Sequence, residues 1–194
     1  MRENVNEGFR KAALALAGEL AAKGARSVVF CSSRPGEGTT TVVLNVARHL
    51  SETYNLKTLV VELNRRRPVF ARLFSLNGLR NLGSGLTILP SGEPSASGGR
   101  ANDLAALVRQ VLAELESRFD IVLFDASPVL EGTDALEAIR LVPRVVLVVQ
   151  AATTSYEVLD RVARELAAAH ASIVGSILNK FVKVIPSWIY LGLS

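Results

Sequence analysis

The chain has 194 residues, 49% of them apolar and 21% charged, which supplies a full hydrophobic core and excludes a chain that is disordered throughout. A net charge of +4, with one tight basic cluster at Arg65, Arg66 and Arg67, falls short of the dense basic face that nucleic-acid binding uses. One cysteine excludes an internal disulfide and suits a reducing compartment.

Helical and strand patterns alternate along the chain. Met1 to Lys23 is amphipathic, with Phe9, Ala13, Leu16 and Leu20 at helical spacing, and has no unbroken apolar stretch to act as a signal peptide. Ser27 to Cys31 reads as a buried strand. Thr40 to Leu50 reads as a helix that gathers Val42, Val43, Val46, Ala47 and Leu50 on one face. Thr58 to Glu62 is a second strand and Leu86 to Leu89 a short third. Gly83 to Gly85 and Ser91 to Arg100 read as flexible loops. Asn102 or Asp103 is placed to cap a helix with Leu104, Leu107, Val108, Val111, Leu112 and Leu115 as its stripe. Strands follow at Asp120 to Phe124, Val145 to Val149 and Ser172 to Leu178. Helices are expected near Asp134 to Arg140 and over Ser155 to Ala169.

Strands that are apolar throughout, alternating with helices, indicate an α/β fold of three layers. A mostly parallel central sheet is expected, with helices on both faces and right-handed crossovers. No segment reaches the roughly 18 apolar residues of a membrane span. Cys31 ends a strand and reads as a small core residue. His49 and His170 fall late in helices, where capping or surface roles are commonest. No cluster has metal-ligand spacing.

Directly after the first strand comes Ser32-Ser33-Arg34-Pro35-Gly36-Glu37-Gly38-Thr39-Thr40-Thr41, and a helix follows at once. This is the strand–glycine loop–helix setting of a phosphate-binding loop. Glycines let backbone N–H groups turn around an anion, and the helix N-terminus adds partial positive charge. Thr40 stands where a hydroxyl ligates Mg²⁺ in such loops.

Pro35-Gly36-Glu37-Gly38 with the three threonines resembles the loop of bacterial tyrosine kinases, usually Pro-Gly-Glu-Gly-Lys-Ser-Thr. The resemblance continues along nearly the whole chain. Glu7 and Arg10 resemble the start of that family's oligomerisation helix, although Ala13 stands where a second arginine is usual. Glu62-Leu63-Asn64-Arg65-Arg66-Arg67-Pro68 resembles the acidic motif Asp-x-Asp-x-Arg-Arg-Pro, and Leu89-Pro90-Ser91-Gly92 a Leu-Pro-x-Gly segment after it. Phe119 to Leu130 resembles the Walker B region, with Asp125 its acidic residue and Asp134 continuing it. Asn179 resembles the adenine-contacting asparagine.

The resemblance implies a single P-loop NTPase-like domain over 1–194, related to the Par/Min partition ATPases, with 181–194 as an apolar and aromatic tail. It implies nucleotide contacts from Gly36, Glu37, Gly38, Thr39, Thr40, Thr41 and Asn179, and Mg²⁺ at Thr40 and Asp125. It also implies a cytoplasmic protein, peripheral at the inner membrane, that partners a membrane polysaccharide co-polymerase or a kinase paralogue. Homo-oligomers through Glu7 and Arg10 are expected, and nucleic acid is not.

The departures change the expected chemistry. Thr39 replaces the lysine that holds the β- and γ-phosphates. Glu62 replaces one aspartate of the acidic motif and keeps its charge. Asn64 replaces the other and cannot act as a base. Tyr54, Tyr156 and Tyr190 form no tyrosine cluster. With Thr39, Glu62, Asn64 and Asp125 as degenerate catalytic candidates, the expectation is a pseudokinase regulator or scaffold of exopolysaccharide or capsule export, with ATP, ADP and Mg²⁺ bound weakly or not at all. The alternatives are an active tyrosine autokinase or ATPase, with Arg34 or a partner's arginine supplying the charge, and a Par/Min-like positioning ATPase.

Overall fold

The computed structural model describes residues 2–70, 78–91 and 104–180. Its elements run α1 (Arg2–Ala22), β1 (Ser27–Ser32), α2 (Thr39–Glu52), β2 (Thr58–Glu62), β3 (Arg80–Gly83), β4 (Leu86–Leu89) and α3 (Leu104–Gln110). They continue with β5 (Ile121–Asp125), α4 (Asp134–Leu141), β6 (Arg144–Gln150), α5 (Tyr156–Ala168) and β7 (Ser172–Asn179). The strands form one sheet in the order β3-β4-β2-β5-β1-β6-β7. Every pairing is parallel except the β3–β4 hairpin.

Strand periodicity splits the core into two layers. Along β1, Val28 and Phe30 point to one face and Val29 and Cys31 to the other. The first face packs under α1 and α2, through Leu16, Leu20, Val43 and Leu50. The second packs under α3, α4 and α5, through Val108, Ile139, Val162 and Leu166. The result is the three-layer α/β fold expected from the sequence.

Two local readings change. Gly83 to Gly85 is not a flexible loop but the tight turn of the β3–β4 hairpin, with Gly83, Ser84 and Gly85 all at positive φ. The strand before it, Arg80–Gly83, is exposed throughout, so no apolar alternation marked it in the sequence. The α3 stripe extends past Gln110 as a π turn, Val111–Leu115, and a 3₁₀ turn, Glu116–Arg118. The expected caps at Asn102 and Asp103, the loop from Gly92 to Arg100 and the tail 181–194 lie outside the described residues.

Both histidines have defined places. His49 is buried, and its ring bridges Asn6 of α1 (2.9 Å) and Thr53 (3.2 Å). Burial holds it below the ordinary histidine value. His170 takes the left-handed position after α5, at φ 58°. Burial, followed by the charge of Glu37, pushes the Cys31 thiol up to about 12, so Cys31 is an inert core residue.

Candidate functional site

Parallel topology sets the carboxyl ends of β1, β2, β5, β6 and β7 at one edge of the sheet. The crevice of an open α/β sheet lies there, where neighbouring connections diverge from β1. The glycine loop leaves β1 at this edge and ends in α2. Gly38 is the N-cap of α2, at φ 93° and ψ 28°, with no side-chain cap. Glycine has no side chain to cap the first-turn amides of α2, and that turn holds no acidic residue. The loop and α2 open onto a pocket of 190 Å³. Gly36, Gly38, Thr39, Thr40 and Thr41 line one side of it, and Asn64, Arg67 and Glu131 the other.

Glu37 shapes the loop from within. Its side chain is buried and folds back on the loop's own start. It accepts from Ser33 N (2.7 Å), Ser33 Oγ (2.6 Å) and Arg34 N (3.1 Å), and from Thr154 Oγ1 beyond β6 (2.6 Å). Burial alone would raise its pKa, but the bonds from Ser33, Thr154 and Arg34 together hold it below the ordinary glutamate value. The carboxylate is thus engaged within the protein, and only the Glu37 backbone is available to a phosphate.

The end of β7 closes on the same loop. Asn179 Nδ2 donates to the Glu37 carbonyl (2.8 Å), and Lys180 Nζ donates to the Gly36 carbonyl (2.5 Å). Gly38 leaves room for this contact, because a Cβ there would run into Asn179 Nδ2. Gly38→Ala is therefore expected to lower stability by about 2 kcal/mol, combining the positive-φ cost with that clash. Gly36→Ala meets open space and carries the φ cost of about 1 kcal/mol alone. Thermal melts of the two variants check the difference, and equal losses would refute the clash.

Asp125 ends β5 beneath the loop. Its Oδ2 accepts from Thr40 Oγ1 at 2.7 Å. Its Oδ1 is buried without a hydrogen-bond partner, the one such side-chain atom among the described residues. Burial pushes the carboxyl up to about 7; the Thr40 bond opposes this, and the charge of Glu62 adds to it. One carboxylate and one hydroxyl with an unmatched oxygen make a hard, oxygen-only donor set. That set fits Mg²⁺, which is commonly held by one or two carboxylates plus substrate phosphates. No cluster of three or more acidic, histidine or cysteine side chains suited to a metal occurs among the described residues.

Glu62 pairs in register with Asp125 across β2 and β5 and is fully buried. It accepts from Val69 N, Phe70 N (3.0 Å), Ser91 N (3.0 Å) and Ser91 Oγ (2.9 Å). Its carboxylate is thereby committed to holding the segments after β2 and β4. Asn64 Oδ1 accepts from Arg67 N at 3.2 Å and shapes the turn through the arginine cluster. Arg67 reaches the Glu131 carboxylate (3.4 Å), and Arg66 donates to the Glu131 carbonyl (3.1 Å). Glu7 lies exposed on α1 and pairs with Lys11 (2.9 Å), which lowers its pKa; Arg10 is exposed beside it.

Sequence reasoning missed Thr154, Lys180 and Glu131 as parts of this edge. Thr154 and Lys180 could have been found by looking just past each parallel strand's carboxyl end. Glu131 carried no such signal.

Comparison with known proteins fits this geometry. No family model matches the chain. It is 25% identical over 171 residues to the tyrosine-protein kinase YwqD of Bacillus subtilis, covering 79% of this chain and 72% of that protein. The crystal structure of the VpsO kinase domain superposes with a TM-score of 0.76 and 26% identity, covering 93% of this chain and 98% of that one. This chain is similar in sequence and fold to bacterial tyrosine kinases. Its fold also matches the septum site-determining protein MinD of Pyrococcus horikoshii, solved with Mg-ADP, at a TM-score of 0.63 and 19% identity over 86% of this chain and 76% of that one. Among the described residues, no helix is long and apolar enough to cross a membrane.

Proposed function

We propose that this chain is a tyrosine-kinase-like regulator or scaffold of bacterial exopolysaccharide or capsule assembly that has lost efficient phosphoryl transfer. The observation that carries the reading is Thr39, at the first position of α2 and on the pocket wall, where the related loops place lysine. A threonine hydroxyl supplies neither the reach nor the charge that stabilises a transferring phosphoryl group. Two further features point the same way. Asn64 is neutral and holds a turn, and the Glu62 carboxylate is engaged by four donors.

What remains favours binding over turnover. The backbone loop, Thr40 and Asp125 would hold the phosphates and Mg²⁺ of ATP or ADP, and the ion would neutralise phosphate charge there. The partner on this reading is an inner-membrane polysaccharide co-polymerase or a competent kinase paralogue, met at the membrane's cytoplasmic face. Glu7 and Arg10 on the open face of α1 would serve self-association.

Turnover and autophosphorylation of the chain with Mg-ATP test the reading, beside a Thr39→Lys variant. The native chain is expected to stay at background. The variant is expected to bind nucleotide at least about tenfold more tightly, from one charge-assisted contact of about 1.5–3 kcal/mol. Native turnover at the 1–100 s⁻¹ scale typical of kinases would overturn the proposal.

A further inference from the structure

The phosphate loop has lost its lysine, but a lysine still touches it. Lys180, the residue after β7, places Nζ 2.5 Å from the Gly36 carbonyl, and its Cε would lie 3.9 Å from a Cβ on Gly38. Its neighbour Asn179 holds the next carbonyl, that of Glu37. Two consecutive carbonyls of the loop are thus occupied by donors from the end of β7 and the residue after it.

This arrangement aims the loop's amides. A trans peptide plane points its N–H opposite its C=O, and the described residues contain no cis peptide. Fixing the Gly36 and Glu37 carbonyls therefore turns the N–H groups of Glu37 and Gly38 the other way. No hydrogen bond among the described residues uses either amide. A charged donor on a carbonyl also polarises its peptide, strengthening the N–H on the far side as a donor. An ammonium at this distance adds a full positive charge to the field of the loop and of the α2 N-terminus.

We propose that Lys180 is the relocated cation of this phosphate loop. It is a positioning residue that, through the Gly36–Glu37 peptide, makes the loop bind a diphosphate or triphosphate anion despite Thr39. The proposal rests on reading this loop as a phosphate site. It does not depend on whether phosphoryl transfer has been lost.

The test is isothermal titration of the full chain with Mg-ADP and with inorganic pyrophosphate, at low and high salt. Lys180→Gln is expected to weaken both at least tenfold and to flatten the salt dependence, because the lost term is electrostatic. Lys180→Arg, which keeps the charge and a donor, is expected to stay within about threefold of the native chain. In the Thr39→Lys background the loss caused by Lys180→Gln is expected to shrink, because a second cation then serves the anion. Lys180 is exposed, so its variants are expected to melt with the native chain.

A native chain that binds neither ligand overturns the proposal. So does Lys180→Gln binding with unchanged affinity, or an undiminished loss in the Thr39→Lys background. A chain that binds through Lys180 and also turns over ATP at a kinase rate refutes the pseudokinase reading and leaves this one standing.

Discussion

Asp125→Asn is expected to raise the melting temperature at pH 8 by about 4–8 °C while weakening Mg²⁺-dependent nucleotide binding. Asp125 titrates near 7 in the folded chain against 3.8 for a free aspartate, so the folded state holds the proton more tightly than the unfolded state. Between those values the folded chain carries more protons, and its stability falls as pH rises. The stabilising effect of the bound proton is complete below about pH 4 and gone above about pH 7. Such a difference corresponds to on the order of 4 kcal/mol for ionising the folded group at pH 8. Asparagine removes the charge and keeps an acceptor for Thr40. It also leaves a buried amide donor in need of a partner, which costs about 1–3 kcal/mol. The net gain of about 2 kcal/mol converts at about 2–4 °C per kcal/mol for a chain of this size. At pH 5, where the aspartate holds its proton, the two proteins are expected to melt within about 2 °C of each other. A variant that melts below the native chain at pH 8 would refute the buried, uncompensated charge.

Glu62→Ala is expected to be the most damaging substitution at the strand ends. It strips the acceptor from the amides of Val69, Phe70 and Ser91 and from the Ser91 hydroxyl, which all meet at the fully buried Glu62 carboxylate. Unmatched buried donors cost about 1–3 kcal/mol each, and partial rearrangement of two surface-connected segments relieves some of that. A loss of about 4 kcal/mol follows, or roughly 8–16 °C in melting temperature. Glu62→Gln keeps one acceptor oxygen and should lose about half as much. It should also move the Asp125 midpoint down, because the Glu62 charge is one of the causes holding it up. Melting curves across pH for the three proteins check both effects. A Glu62→Ala chain that melts with the native one would show that the carboxylate is not what holds these segments.

The two substitutions also show what a sequence reveals and what it hides. Strands β1, β2 and β5 are short apolar runs rich in β-branched residues, and their patterns located them to within a residue or two. The glycine loop was legible because glycine spacing and the helix after it are local features. The roles of Glu62 and Glu37 were not. Each looks like an acidic residue at a motif position, and what each does depends on donors brought to it by folding. Thr154 lies 117 residues from Glu37, and Ser91 lies 29 from Glu62. Nothing in the local sequence distinguishes a carboxylate that meets an ion from one that meets four hydrogen-bond donors. The edge strand β3 escaped notice for a related reason: exposed on both faces, it carries no alternation to read.

The clasp at Asn179 and Lys180 joins positions 142 and 144 residues apart. Contacts of such sequence separation close late in folding, because the chain between them must be ordered first. On a ribosome, the glycine loop emerges well over a hundred residues before its clasp. Until β7 docks against β6, the carbonyls of Gly36 and Glu37 have no donors from that strand, and the loop's amides are not aimed. The nascent chain thus carries its phosphate-loop sequence without the geometry of the finished loop until β7 has emerged and docked.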